Sequence, residues 1–298
     1  MTNSIEDFSE IVQRNEPLSR HTWLRVGGPA DYFLTPRSHE ELVAVVRWCR
    51  QQNMPIQILG GGSNILVRDE GVRGAVIRLA EPLLAEISLS ETRLTAGGGA
   101  LLSRVVTAAV REGLAGVEHL VGIPGTVGGA VAGNSGGRIG DTGQVVTSVT
   151  VLTQAGEVAV RSGDELSFSY RRSSLQDLIV LSATLELTRD DTEELTRRMR
   201  KNWILKRSTQ PLADQSAGCI FRNPRGLSAG ALIEQCGLKN AACGKARVSD
   251  RHANFIVTDT GAVSRDVEQL ISRIQAAVAE RFSVNLDPEI RIWPTSAG

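Results

Sequence analysis

Cysteine is scarce in this 298-residue chain, and its placement excludes two classes of protein. Cys49, Cys219, Cys236 and Cys243 form no Cys-x-x-Cys pair, and His21, His39, His119 and His252 do not cluster near them. That spacing argues against a zinc site or any other metal centre. The density is too low for a disulfide framework at this length. Aromatics make up only 4% of residues, and lysine plus arginine (33) balance aspartate plus glutamate (33). No net field therefore draws nucleic acid or an anionic bilayer, although a local basic site for an acidic ligand stays open. No apolar run approaches the roughly 20 residues that span a membrane. The N-terminal stretch "MTNSIEDFSEIVQRNEPLSRHTW" has no apolar core of a signal peptide. The expectation is a cytoplasmic protein with no membrane insertion, no nucleic-acid partner and no obligate protein partner.

What is present is enough apolar content, 41%, to build substantial cores, and enough length for two or three domains. "ADYFLTP" reads as a strand and "SHEELVAVVRWCRQQN" as an amphipathic helix, with Ser38 and Glu41 as a capping box. "IQIL" and "GAVIRL" read as short strands. "TRLTAGGGALLSRVVTAAVREGL" reads as strand, glycine turn and helix. A glycine-dense segment follows from Gly122 to Gly143. "VVTSVTVLTQAGEVAV" reads as a hairpin turning at Ala155-Gly156, and "DLIVLSATLEL" as a strand of mixed alternation. After residue 190 come a charged helix, "DTEELTRRMRKNWILKR", and a helix "SAGALIEQCG" between Ser228 and Gly237. A strand "HANFIVTD", a helix "SRDVEQLISRIQAAVAERF" capped by Ser264, and a closing strand "PEIRIW" complete the chain. The class is α+β with small mixed sheets, and no fixed-period repeat appears.

Two glycine-rich loops carry the first chemical signal. In "LGGGSNILV" a strand runs into Gly60, Gly61, Gly62, Ser63 and Asn64. Glycines let backbone approach a ligand without a Cβ clash, and successive amides with Ser63 and Asn64 can donate to a phosphate or pyrophosphate. "GIPGTVGGAVAGNSGG" holds seven glycines in sixteen residues, among them Gly125, Gly128 and Gly129, stiffened by Pro124 and followed by Thr126. It is neither GxGxxG at a helix start nor GxxxxGK[ST], so neither a standard dinucleotide fold nor a P-loop is supported. Two such loops imply a large ligand spanning both. The third signal is "SAGCIFRNP", where Cys219 follows a glycine in a turn. On its own it reads as a core thiol, a metal ligand, a nucleophile or an acid.

"LGGGSNILV" with "GIPGTVGGAVAGNSGG" is similar to the FAD-binding region of the UDP-N-acetylenolpyruvoylglucosamine reductases. "HTWLRVGGPADYFLTP", "FSYRRSSL", "SAGCIFRNP", "GLKNAACGKARVSDRHANFIV" and "PEIRIW" resemble further elements of that family in order, over about Leu18 to Trp293. The resemblance implies a two-domain FAD-binding unit of the vanillyl-alcohol-oxidase (PCMH) type, residues 1–84 and 85–190. It implies a C-terminal α+β substrate-binding domain, residues 191–298. It also implies non-covalent FAD, NADPH as co-substrate, and reduction of the enolpyruvyl ether of UDP-N-acetylglucosamine to UDP-N-acetylmuramate for peptidoglycan.

The same resemblance implies roles. Arg171 matches the family's catalytic arginine, whose planar fork can hold a carboxylate. By residue type alone it is a surface arginine. Arg172 is its neighbouring rival. Glu289 matches the family's glutamate, acting as a protonated carboxyl or by orienting Arg171. Cys219 stands where the family usually has a serine, the proposed proton donor. A thiol with a pKa of about 8.5 gives its proton more readily than an alcohol, provided that it stays neutral. Ser216 is a fallback donor. Tyr170, Arg207 and Asn223 are expected at the substrate, with Lys206, Arg222, Lys239 and Lys245 as further cations for its diphosphate. The 48 residues from Arg171 to Cys219 leave little room for the substrate loop of longer members, so this is the shorter form. "GNSGGRIGD" also departs from the usual version of its motif. The alternatives are another FAD oxidase or dehydrogenase of the same fold, or a nucleotide-binding module. The former often attaches flavin through a histidine, and residues 122–143 have none, although His119 lies just before.

Overall fold

The computed structural model describes residues 4–79, 84–175 and 178–293. Met1, the first residue of the N-terminal stretch, and Asp177, where a strand was expected to start, lie outside the described residues. By contacts the chain forms two compact units. One comprises Met1–Gln13, Tyr32–Gly61 and Gly74–Leu205; the other comprises Arg14–Asp31, Gly62–Arg73 and Lys206–Gly298. No helix among the described residues is long and apolar enough to cross a membrane.

The first unit holds two hydrophobic cores on either side of a sheet. Helix α1 (His39–Gln51) buries Leu42, Val45, Val46 and Cys49, the i, i+3, i+4, i+7 stripe of an amphipathic helix. These meet Ala75, Ile77, Leu152, Ile179 and Leu181. Strand Ile56–Leu59 pairs in parallel with Ala75–Arg78 beside them. Burial pushes the Cys49 thiol up to about 12, so it serves as a packing group. The α1 capping box forms by half. Ser38 Oγ accepts the Glu41 amide at 3.2 Å. The Glu41 carboxylate turns instead to Arg37, accepting its amide at 2.6 Å and its guanidinium at 2.8 Å. A charged partner outcompetes the neutral amide of Ser38.

An antiparallel five-stranded sheet runs in the order Val158–Ser162, Val146–Leu152, Ile179–Glu186, Arg93–Gly97, Ile87–Ser90. Its central strand explains the mixed alternation seen in the sequence. Register shifts between Val180 and Ser182, so the buried residues change parity there. Ile179 and Leu181 join the α1 core, whereas Val180, Ala183 and Leu185 join a second core with Leu94, Val149 and Val151. Helix α2 (Leu102–Arg111) covers that second face with Val105, Val106 and Ala109.

The glycine-dense segment is not loop throughout. Val127–Ala132 form helix α3, whose start is capped by Thr126 Oγ1 accepting the Gly129 amide at 3.4 Å. Glycine disfavours helix by about 1 kcal/mol per residue. Here close packing decides: a Cβ on Gly128 would lie 2.9 Å from the Gly98 carbonyl oxygen. Helix α4 (Thr192–Thr209) follows the central strand.

In the second unit Gln215–Cys219, Phe255–Thr258, Ala246–Val248 and Ala242–Cys243 form a sheet in that order. Helices α5 (Ala229–Gln235) and α6 (Ser264–Phe282) contribute to its core. Ser228 Oγ caps α5 on the Ala231 amide at 3.3 Å. From α6, Val267, Leu270, Ile271, Ile274 and Val278 are buried with Ile220, Phe221 and Ile256. Leu24, Val26 and Leu66, from segments that lie early in the chain, join the same core. Strand Ile65–Val67 pairs in parallel with Arg291–Trp293.

Ser264 is the first helical residue of α6, not its cap. Its amide donates to the Asp69 carboxylate at 2.8 and 3.0 Å, and its hydroxyl accepts the Asp69 amide at 3.0 Å. The reciprocal pair does across 195 positions what a capping box does locally. The substitution Asp69→Ala is expected to cost about 1 kcal/mol of stability. A shift in the urea midpoint measures it, and Glu70→Ala serves as a neighbouring control.

Candidate active site

The two glycine-rich loops touch. A Cβ placed on Gly61 would lie 2.8 Å from the Gly125 Cα, and one on Gly60 would lie 2.7 Å from Thr126 Oγ1. Only glycine allows that approach. The amide hydrogens of Gly60 and Gly61 meet no protein acceptor among the described residues. Gly62 turns with φ +66, where a Cβ would meet the His21 carbonyl, and its own carbonyl accepts the Trp23 amide at 3.0 Å. Ser63 is half-buried and Asn64 exposed. In the second loop Pro124 and Gly129 are exposed, Gly125 is half-buried, and Thr126 and Gly128 are buried. Amides without protein partners, in loops stripped of side chains, fit a cofactor that carries a pyrophosphate.

Arg171 stands on a two-residue turn. Phe168 pairs with Ser173 and Ser169 with Arg172, leaving Tyr170 and Arg171 at the tip. Arg171 takes φ +58, a left-handed conformation uncommon outside glycine. Three hydrogen bonds tie the hairpin to the last residue of α3 and the segment after it. Asn134 Nδ2 donates to the Ser169 carbonyl at 2.8 Å, and Ser173 Oγ to the Ala132 carbonyl at 2.8 Å. Arg171 Nη2 donates to the Gly136 carbonyl at 2.9 Å. The guanidinium also lies over the Tyr170 ring, 5.2 Å from its centroid. Tyr170 is 51% exposed, and Arg172 is exposed too.

In the second unit Cys219 and Glu289 come together. Strand Gln215–Cys219 pairs Ser216 with Val257 and Cys219 with Phe255, so one extra residue bulges between them. Gly218 takes φ +77 in that bulge, which re-aims Cys219 relative to Ser216. Ser216 is buried on the strand. The next two residues, Ile220 and Phe221, are core residues. The Ile220 carbonyl accepts the Glu289 amide at 2.7 Å, and Phe221 bridges to Pro288. Asn64 Nδ2 donates to the Glu289 carbonyl at 3.3 Å, so the glycine loop reaches this turn within the same unit. Cys219 and Glu289 are both half-buried.

The other expected residues lie elsewhere or have local partners. Arg207 is exposed on the last turn of α4. Asn223 Oδ1 accepts the Ala229 amide at 3.0 Å at the start of α5. Lys239 pairs with Glu234 at 2.7 Å, and Lys245 Nζ donates to the Thr260 carbonyl at 3.0 Å. Those contacts are the work of ordinary surface cations. His119 packs against Gly140, where a Cβ would lie 3.1 Å from its Nε2.

Comparison with known proteins decides the family. Residues 30–161 match the model of an FAD binding domain, and residues 210–293 match that of the UDP-N-acetylenolpyruvoylglucosamine reductase C-terminal domain. The chain is 43% identical to the UDP-N-acetylenolpyruvoylglucosamine reductase of Heliobacterium modesticaldum, over all of this chain and 96% of that one. The chain belongs to the UDP-N-acetylenolpyruvoylglucosamine reductase family. It is 42% identical to the protein of that name from Moorella thermoacetica, over 95% of this chain and 93% of that one. The crystal structure of the reductase from Thermus caldophilus superposes with a TM-score of 0.82 at 39% identity, covering 95% of this chain and 99% of that one.

The chain is thus an FAD-dependent oxidoreductase of α+β fold, as the motifs implied. Sequence reasoning singled out Cys219, Glu289 and Arg171 but missed the two asparagines that hold their turns. Asn134 is 1% exposed with φ +45, and Asn254 is 3% exposed. The available signal was an asparagine beside glycine, or inside an apolar strand, where a buried amide must find partners.

The contact of the two loops makes a direct prediction. Gly61→Ala forces backbone against backbone and should release FAD, whereas Gly137→Ala, with no atom within 4 Å of its Cβ, should retain it. The flavin-to-protein absorbance ratio after gel filtration distinguishes the two.

Proposed function

We propose that the chain is an NADPH-dependent reductase of the enolpyruvyl ether of UDP-N-acetylglucosamine, yielding the lactyl ether UDP-N-acetylmuramate for peptidoglycan synthesis. The observation that carries the reading is the turn that places Cys219 one residue from the backbone bonded to Glu289, 2.7 Å from Ile220 carbonyl to Glu289 amide. FAD, when bound, supplies the two-electron chemistry between NADPH and the substrate. The residues that would hold it are Gly60, Gly61, Gly62, Ser63, Asn64, Pro124, Gly125, Thr126, Gly128 and Gly129.

Reduction of an enol ether places a hydride on the terminal carbon and a proton on the carbon beside the carboxylate. An enol ether is a weak hydride acceptor, so the negative charge that builds on its carboxylate must be stabilised in the transition state. Arg171 serves that purpose. Its bond to the Gly136 carbonyl pre-aims the guanidinium, whose planar fork matches a carboxylate. Cys219 Sγ–H gives the proton to the other carbon, and the resulting thiolate regains a proton from solvent before the next turnover. Glu289, whose amide bonds the Ile220 carbonyl, is the carboxyl of the proposed site. Tyr170, Arg207 and Asn223 bind the substrate, with Arg207 among the cations for its diphosphate.

Two rapid-mixing experiments test the reading. NADPH should bleach the yellow protein without oxygen, and the enolpyruvyl substrate should restore the colour. Recovery by oxygen alone would favour an oxidase of the same fold. The variant Cys219→Ala should keep the first half-reaction and slow the second by on the order of 100-fold; an unchanged second half-reaction refutes the donor role. Arg171→Lys should also slow the second half-reaction, because a point charge cannot replace the planar fork.

A further inference from the structure

We infer that Asn254 is a positioning residue that sets where the Cys219 thiol stands. The inference rests on the proposed role of Cys219 as proton donor, and it adds a residue that touches neither substrate nor cofactor in that proposal.

Asn254 is 3% exposed, and an amide buried that deeply must be fully bonded or it destabilises the fold. Both of its side-chain groups engage one residue. Phe221 N–H donates to Asn254 Oδ1 at 3.0 Å, and Asn254 Nδ2 donates to the Phe221 carbonyl at 2.8 Å. The Asn254 main-chain carbonyl also accepts the Ile220 amide at 2.8 Å. Three hydrogen bonds therefore fix two consecutive residues immediately after Cys219. The opposite side of the same turn is held by Glu289 and Asp287, through the Ile220 carbonyl at 2.7 Å and the Arg222 amide at 2.9 Å.

The other flank of Cys219 is held less evenly, because the ladder of strand Gln215–Cys219 breaks in the bulge between Ser216 and Cys219. Gly218 stands in the left-handed region with no atom within 4 Å of where a Cβ would lie. Beyond its own pairing with Phe255, Cys219 is held on its C-terminal side, where Asn254 ties Ile220 and Phe221 to the start of the strand Phe255–Thr258. The Asn254 backbone is itself held, because its main-chain N–H donates to His252 Nδ1 at 3.2 Å. Burial, and then the charge of Lys239, hold the His252 imidazole below its usual range, which keeps that nitrogen an acceptor. A shift of about 1 Å in a reacting group can cost on the order of 100-fold in rate.

The test uses the FAD-loaded protein with Asn254→Asp and Asn254→Leu. A protonated Asp side chain reproduces the amide, with one oxygen accepting from Phe221 N–H and the hydroxyl donating to its carbonyl. Once ionised it loses the donor and sets a negative charge against that carbonyl. The Asn254→Asp rate in the substrate half-reaction, divided by the wild-type rate at the same pH, should approach one in acid and fall on the order of 100-fold as the carboxyl ionises. His252, which bonds Asn254, and Lys239 and Glu234, which act on His252, are present in both proteins, so the ratio reports only the new carboxyl and its effect on these neighbours. Reduction by NADPH should be equal in the two at every pH. Alkylation of Cys219, mapped by peptide mass, should show the same pH switch without turnover. Asn254→Leu should be slow in the substrate half-reaction throughout; should it fail to fold, Asn254→Asp decides alone. A ratio that stays flat with pH, or an equal loss in both half-reactions, overturns the inference. If Cys219→Ala is slow while that ratio is flat, the positioning role alone fails. If Cys219→Ala is unimpaired, the donor reading fails and the inference with it.

Discussion

Backbone passing directly over backbone is the constraint on which this structure depends. Where Gly61 crosses Gly125, and where α3 crosses Gly98, the space that a single methyl group would need is already filled. Those approaches bring two distant glycine loops together beside the Gly60 and Gly61 amides, which meet no protein acceptor among the described residues. The cost is conformational: glycine loses more freedom on folding than any other residue. Two cores on either side of one sheet offset it, with α1 burying a stripe on one face and α2 on the other. A bulge in the central strand lets that sheet serve both.

The chemistry-bearing side chains are placed by a second device, the buried amide. Asn134 ties the Arg171 hairpin to the end of α3, and Asn254 ties the Cys219 turn to its neighbouring strand. Each amide has both a donor and an acceptor, so one side chain can close a gap between backbones that no sheet ladder spans. Hydrogen bonds of this kind leave Arg171, Cys219 and Glu289 part-exposed while the backbone under them is held. A turn held in that way has little freedom left to lose when a ligand arrives.

Much of this was legible in order along the chain. Period and capping residues marked α1, α5 and the hairpin at Gly156, and the glycine loops declared themselves by composition. The misreadings have physical causes. Thr126 caps a helix made mostly of glycine and alanine, which propensity alone reads as loop; packing against Gly98 overrides it. Glu41 left its expected capping partner for Arg37, whose guanidinium and main-chain amide both donate to the carboxylate. Ser264 looked like the cap of α6, whereas the carboxylate that caps it comes from Asp69, far away in sequence.

The sequence by itself determined the family and its FAD-dependent chemistry, and its motifs are what single out Arg171, Cys219 and Glu289 for the proposed roles. Residue type and motif order carry that information because each motif is local. Tertiary structure alone decided what stands beside what. Residues 14–31 and 62–73 join the C-terminal core, Glu289 comes to lie against Ile220, and Asn254 closes on Phe221. Such contacts arise when buried polar groups and apolar faces must all be satisfied together, and no local window of sequence holds both partners.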